Sequence, residues 1–304
     1  MEKKKILGSL LLTLVAIIWG TAFAFQRVGM DRITPITFAA SRMTISAAAV
    51  GIVAFLQPRF SPVSVRSADS FFSRSELAGG ILCGIFLSTA SIFQQIGIVD
   101  TAAGKAGFIT AMYILLVPVI RFVIFRKRTS WFIWLAVGIG VIGMYFLCMT
   151  QSLRLTRGDT LICVCALLFS GHILCCDFYA GKGNPIRISA IQFFTATLIS
   201  WAAAFVLEKP SLSAIFSAAV PILYCGAISG GVGYTLQIIA QRHTDPTIAS
   251  LLMSLESVFA VIAGALILHE RMQPREILGC VIMFAAIILV QIPQTDRPVS
   301  GRSS

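Results

Sequence analysis

Residues 6–25 read ILGSLLLTLVAIIWGTAFAF, with no charge among them. Coiled as a helix at about 1.5 Å per residue, twenty residues reach about 30 Å, the hydrocarbon thickness of a bilayer. Nine comparable apolar segments follow, near 35–57, 76–99, 103–125, 131–149, 159–180, 187–207, 213–240, 246–268 and 275–292. The links between them are short, and only 58–75, rich in Ser and Arg, is long enough for an independent loop. Lys3-Lys4-Lys5 followed by an apolar run and Ala22-Phe23-Ala24 formally resembles a cleavable leader. The first run has full spanning length and nine like it follow, so it is expected to be retained. The fold class is therefore all-α, a polytopic membrane protein of ten transmembrane helices.

Composition agrees. Of 304 residues, 57% are hydrophobic and 12% charged, half the charge of an ordinary soluble domain, and the mean hydropathy is +0.88. That excludes a soluble globular enzyme, a disordered chain and a disulfide-stapled module. The formal charge of +11 comes from basic residues in the connections, without a basic helix. Anionic lipid headgroups are thus the expected counterpart, and no nucleic acid. With the N-terminus inside, 15 Lys and Arg fall on the cytoplasmic side and 8 on the other, Arg42 lying within a span. The positive-inside rule then places both termini in the cytoplasm.

All eight cysteines fall in apolar stretches and read as small buried hydrophobes. His172, Cys175 and Cys176 share a helical face, a formal soft-metal arrangement. No second cluster in the sequence joins them, so no metal and no cofactor are expected.

The chain also repeats. An offset of 150 sets Trp19 on Phe169, Pro35 on Pro185 and Arg42 on Gln192. An offset of 142–143 sets Cys83-Gly84 on Cys225-Gly226, Gln94 or Gln95 on Gln237, Tyr113 on Glu256 and Arg128 on Arg271. Five spans per copy is odd, so the second copy enters the membrane upside down. The units are a first repeat at 1–149, an inverted repeat at 150–292 and a cytoplasmic tail at 293–304. Inverted repeats place a binding site at their interface near the midplane.

These residues carry a resemblance. Trp19-Gly20-Thr21-Ala22-Phe23 resembles the W-G-[ST]-x-F signature of EamA-type transporters of the drug/metabolite transporter superfamily. Pro35 with Arg42, Gly104-Lys105-Ala106-Gly107-Phe108 with Pro118, Leu255-Glu256-Ser257-Val258-Phe259-Ala260 and Leu268-His269-Glu270-Arg271 resemble further segments of that family. Together they run over about residues 8–292. Ser257 stands where the family usually has Pro, which leaves open a kink after Glu256. The resemblance implies ten helices, an inner-membrane location and export or exchange of small metabolites.

Polar side chains within the spans need partners or water, so they mark candidate sites. Trp19, Gln95, Tyr113, His172, Tyr234 and Gln237 are candidate cavity-lining residues, with interhelical packing as the alternative role. Arg42 lies about 10 Å below one surface and Glu256 about 16 Å into its span, near the midplane. They are candidates for an intramembrane charge pair or a coupling site. No Gly-rich Lys-Ser/Thr nucleotide loop and no His-Glu-x-x-His motif occurs. The expected function is secondary transport of a small metabolite, an amino acid or related solute, by alternating access, and not an enzyme. A lipid or lipid-precursor flippase is the alternative, and an intramembrane enzyme a more distant one.

Overall fold

The fold comes from a computed structural model that describes residues 2–60, 72–101, 103–127, 129–148, 156–267 and 273–291. The Leu268–Arg271 motif, the middle of the 58–75 connection and the 293–304 tail lie outside the described residues. Those described are nearly all helical, with no strand among them. Eight segments are long and apolar enough to cross a bilayer, and two shorter apolar helices cover 131–146 and 277–289.

Most spans are single helices: α1 (Glu2–Met30), α2 (Pro35–Phe60), α3 (Arg74–Asp100), α6 (Trp131–Cys148), α7 (Arg157–Ala180), α8 (Pro185–Leu207) and α14 (Pro274–Gln291). Three are interrupted. The fourth divides into α4 (Ala103–Ala111) and α5 (Tyr113–Phe125), and the ninth into α12 (Pro246–Met253) and α13 (Glu256–Ile267). The eighth, expected as one helix from 213, has a separate short helix α9 (Leu212–Ser217) before it. It then runs through α10 (Ala219–Leu223), a π-helix (Tyr224–Tyr234) and α11 (Thr235–Gln241).

Local chemistry sets several helix starts. Ser73 and Glu76 form a capping box on α3, and Thr156 and Asp159 form one on α7, each covering donors that lack a helical acceptor. Asn184 and Asp245 cap α8 and α12, each followed by a proline at the first helical position. At α2 the cap arrives from afar. Glu208, just after α8, accepts the N–H groups of Ile36 and Thr37 at 2.9 and 2.7 Å and the hydroxyls of Thr34 and Thr37.

Helix contacts come in exchanged pairs. α3 packs on α7 and α8, while the π-helix packs on α1 and α2. α1 packs on α13, and α4 and α5 pack on α7; α2–α8 and α6–α14 are their own counterparts. Swapping the first five spans for the last five returns the same set. Glycines let these backbones approach. A Cβ on Gly84 would lie 2.6 Å from the Gln192 carbonyl, and one on Gly226 would lie 2.8 Å from that of Arg42. These are the residues that the two sequence offsets pair. Valine at Gly84 or Gly226 therefore forces α3 off α8 or the π-helix off α2. We expect each variant to lose about 1–3 kcal/mol, seen as a lower melting temperature in detergent, whereas Gly51→Val, with nothing within 4 Å of its Cβ position, keeps the wild-type value.

Candidate functional site

The two simple interruptions lie side by side in sequence register, Met112 in the fourth span and Ser254-Leu255 in the ninth. Both are tightened turns. Leu115 N bonds to Met112 O at 3.0 Å and Ser257 N to Ser254 O at 3.1 Å, three residues back where a regular α-helix reaches four. The hydroxyls of Ser250, Ser254 and Ser257 each donate to the carbonyl three residues before, satisfying backbone that the break would expose. The ninth span thus bends ahead of Glu256 without a proline.

The breaks present Tyr113 and Glu256 to each other. Tyr113 Oη donates to Glu256 Oε1 at 2.8 Å, and both residues are buried. Behind them α1 crosses α13 at Gly20, where a Cβ would lie 2.5 Å from Phe259 Cβ and 2.6 Å from the Glu256 carbonyl. The glycine after Trp19 is required by this approach.

Around the pair lies a small cavity, in which the centre of a water molecule can range over about 30 Å³. Its walls include Trp19, Arg42, Tyr113, His172, Tyr234, Gln237 and Glu256. Trp19 Nε1 donates to the Ser229 carbonyl at 3.1 Å, and its ring lies 4.6 Å from that of Tyr234. The π-helix makes this possible: a Cβ on Gly233 would lie 2.6 Å from Trp19 Nε1. His172 Nε2 lies 3.0 Å from Gln192 Oε1. Both side-chain polar atoms of Gln237 are buried without a hydrogen-bond partner.

Arg42 is the unusual member. It is 4% exposed, its Nε and Nη2 have no hydrogen-bond partner, and among the described residues it forms no ion pair. The direct Arg42–Glu256 pair that the sequence allows is not formed. Glu256 is turned to Tyr113, and it and Arg42 border one cavity without an ion pair between them. Gln95 also falls elsewhere. Its Nε2 lies 3.1 Å from Met30 Sδ, whereas the adjacent Gln94, about 100° around the helix, lines the cavity and reaches Thr110 Oγ1 at 3.3 Å. The sequence offsets admitted either glutamine, and only packing separates them. Ser229 was not foreseen, because it contributes a backbone carbonyl.

The fold and cavity define a class: a multi-pass membrane protein whose polar residues meet where two sets of five spans join. The chain belongs to the EamA-like transporter family, whose model matches twice, at residues 6–149 and 156–292. It is 27% identical over 294 residues to an uncharacterized transporter of Archaeoglobus fulgidus, the match covering 95% of this chain and 87% of that one. It is 21% identical over 290 residues to the uncharacterized transporter YoaV of Bacillus subtilis, covering 94% and 97%. A solved crystal structure shares the fold at a TM-score of 0.75 and 15% identity, covering 94% of this chain and 98% of its own.

The Tyr113–Glu256 bond is testable as a bond. Tyr113→Phe and Glu256→Gln should each lower stability, and the double variant by less than their sum. The coupling energy, from chemical unfolding in detergent, should fall near about 0.6–1.7 kcal/mol. Strict additivity would show that the two side chains do not interact.

Proposed function

We propose that this protein is a secondary transporter that exports or exchanges a small metabolite across the inner membrane by alternating access. Its cargo, an amino acid or related solute with a carboxylate, binds in the cavity of Arg42 and Glu256. One observation carries the reading: a guanidinium buried at cavity depth with two nitrogens unpartnered. A lone Arg within a span costs up to about 2.5–3.5 kcal/mol to insert, and two of its nitrogens have no partner to offset that here. A carboxylate would, by bidentate charge-assisted bonds.

The repeat supports this. Gln192, the counterpart of Arg42, has His172 as its partner. The counterpart of His172, at the same offset of 150, is Ala22, which borders the cavity beside Arg42. One half supplies an internal partner; the other leaves the place to cargo. The aromatic faces of Trp19, Tyr234 and Phe169 suit the apolar part of a solute, and Glu256 its ammonium group. The cavity has room for only about 30 Å³ of water centres, far below the about 300–1,000 Å³ of small-molecule sites. Binding therefore requires the helices to part, as alternating access does.

Arg42→Gln separates this from a structural role. It should fold with equal or higher thermal stability, because it removes a buried unpartnered charge, yet fail to move cargo. In the wild type, saturating carboxylate solutes should raise stability by about 2.7 kcal/mol at a hundred times Kd, an increase absent in the variant. A panel of amino acids, nucleosides and sugars in thermal shift, followed by efflux from loaded vesicles, makes the comparison. Equal stabilisation of both proteins, or wild-type efflux by Arg42→Gln, would overturn the assignment.

Orientation is tested apart. The charge bias puts Ser130 in the cytoplasm and Ser211 outside. In intact cells an impermeant thiol reagent should label Ser211→Cys above the wild-type background and leave Ser130→Cys unlabelled until the membrane is opened. The opposite pattern would invert the topology.

A further inference from the structure

Beside the cavity, where α3 packs on α7, three soft donor groups converge from two helices. Cys83 comes from α3, and His172 and Cys176 lie one turn apart on α7. All three are buried, and their donor atoms lie within 4.8 Å of one another. The sequence showed only the α7 half of this cluster; α3, packed along α7, brings the remaining thiol.

The spacing is that of a metal coordination edge. Metal–sulfur bonds of about 2.3 Å and metal–nitrogen bonds of about 2.0–2.1 Å at tetrahedral angles set sulfur–sulfur at about 3.8 Å and sulfur–nitrogen at about 3.6 Å. Cys83 Sγ and Cys176 Sγ are 3.8 Å apart, and Cys176 Sγ is 3.5 Å from His172 Nε2. We propose that Cys83, Cys176 and His172 form a binding site for a thiophilic divalent cation of the zinc type, which clips α3 to α7.

Charge selects the divalent ion. The surroundings are apolar, with Ile188, Ile238, Ala180 and Phe86 packed against the thiols. A net charge there costs several kcal/mol or more. Two thiolates, one neutral imidazole and a divalent ion sum to zero, whereas a monovalent ion leaves one negative charge. Binding releases the two thiol protons to the medium, and the fourth position goes to water, a neutral ligand. His172 also borders the cavity, so the ion would draw the imidazole from Gln192 and couple this site to the cargo's.

The test uses the full-length protein in lipid nanodiscs, with Co²⁺ as a spectroscopic probe and Zn²⁺ as competitor. The wild type should take up one Co²⁺ with a sulfur-to-metal charge-transfer band, lose the band to Zn²⁺, and melt at a higher temperature with Zn²⁺. Ligand loss should exceed the roughly 100-fold effect of losing a supporting contact, so Cys83→Ala and Cys176→Ala should each weaken binding by more than that. Cys163→Ala, an exposed thiol on α7, should bind as wild type. Should an alanine variant not fold, Cys83→Ser and Cys176→Ser carry the same readout. Wild-type protein gives a variant-free check, in which Zn²⁺ should protect Cys83 and Cys176 from a permeant alkylating reagent. A missing band, binding that survives both cysteine changes, or loss with Cys163→Ala would overturn the proposal. None of these outcomes depends on the identity or movement of cargo.

Discussion

Everything at the centre of this molecule is arranged around one hydrogen bond, Tyr113 Oη to Glu256 Oε1, that joins two interrupted helices. A break inside hydrocarbon is costly unless the exposed backbone finds partners. Here the cost is kept low in three ways. The turns tighten without unwinding, serine hydroxyls cover the carbonyls before Glu256, and Gly20 lets α1 close over the break. What the breaks gain is placement: each starts a new helix with a polar side chain at cavity depth.

The near-symmetry explains why those two residues meet. Gly84 lies on the carbonyl of Gln192 and Gly226 on that of Arg42, contacts related by the offsets of 142 and 150, while Tyr113 and Glu256 are related by 143. The departures from symmetry are chemical. Arg42 replaces Gln192, Ala22 replaces His172, and the eighth span carries a π-helix where α3 is regular. A scaffold of two similar halves thus holds a site whose two ends differ in chemistry.

Much of this was legible in the sequence because hydrocarbon leaves polar residues few roles. The spans follow from length alone, and Trp19, Tyr113, His172, Tyr234, Gln237, Arg42 and Glu256 stood out as the polar or aromatic exceptions within them. What stayed hidden depended on angles and backbone. Gln94 and Gln95 differ only by rotation about α3, and rotation is set by neighbours. For Glu256 the sequence offers Arg42 as a charge partner or a coupling role without one, since Coulomb attraction is visible in a sequence and a phenol's reach across two helices is not. The division of the eighth span escaped notice because apolar content cannot distinguish α- from π-hydrogen bonding, although Gly230, Gly231 and Gly233 marked the place. Cys83 could not be joined to His172 and Cys176 before the packing of α3 on α7 was known.

The two broken spans are fastened unequally along their crossing. At one end Arg121 of α5 pairs with Asp245, the cap of α12, with Thr247 beside it. At the other end α4 and α13 meet through small residues, and Gly107 has only the Ala260 methyl near its Cβ position. Parting the spans at the first end separates an ion pair; parting them at the second separates apolar packing in which Ile109 and Phe108 share a cluster with Ala260. The ion pair is partly exposed, at 19% and 33%, and such pairs are worth about 0–1 kcal/mol. The crossing of the two broken spans is thus held by one partly exposed ion pair at the Arg121 end and by apolar packing at the other.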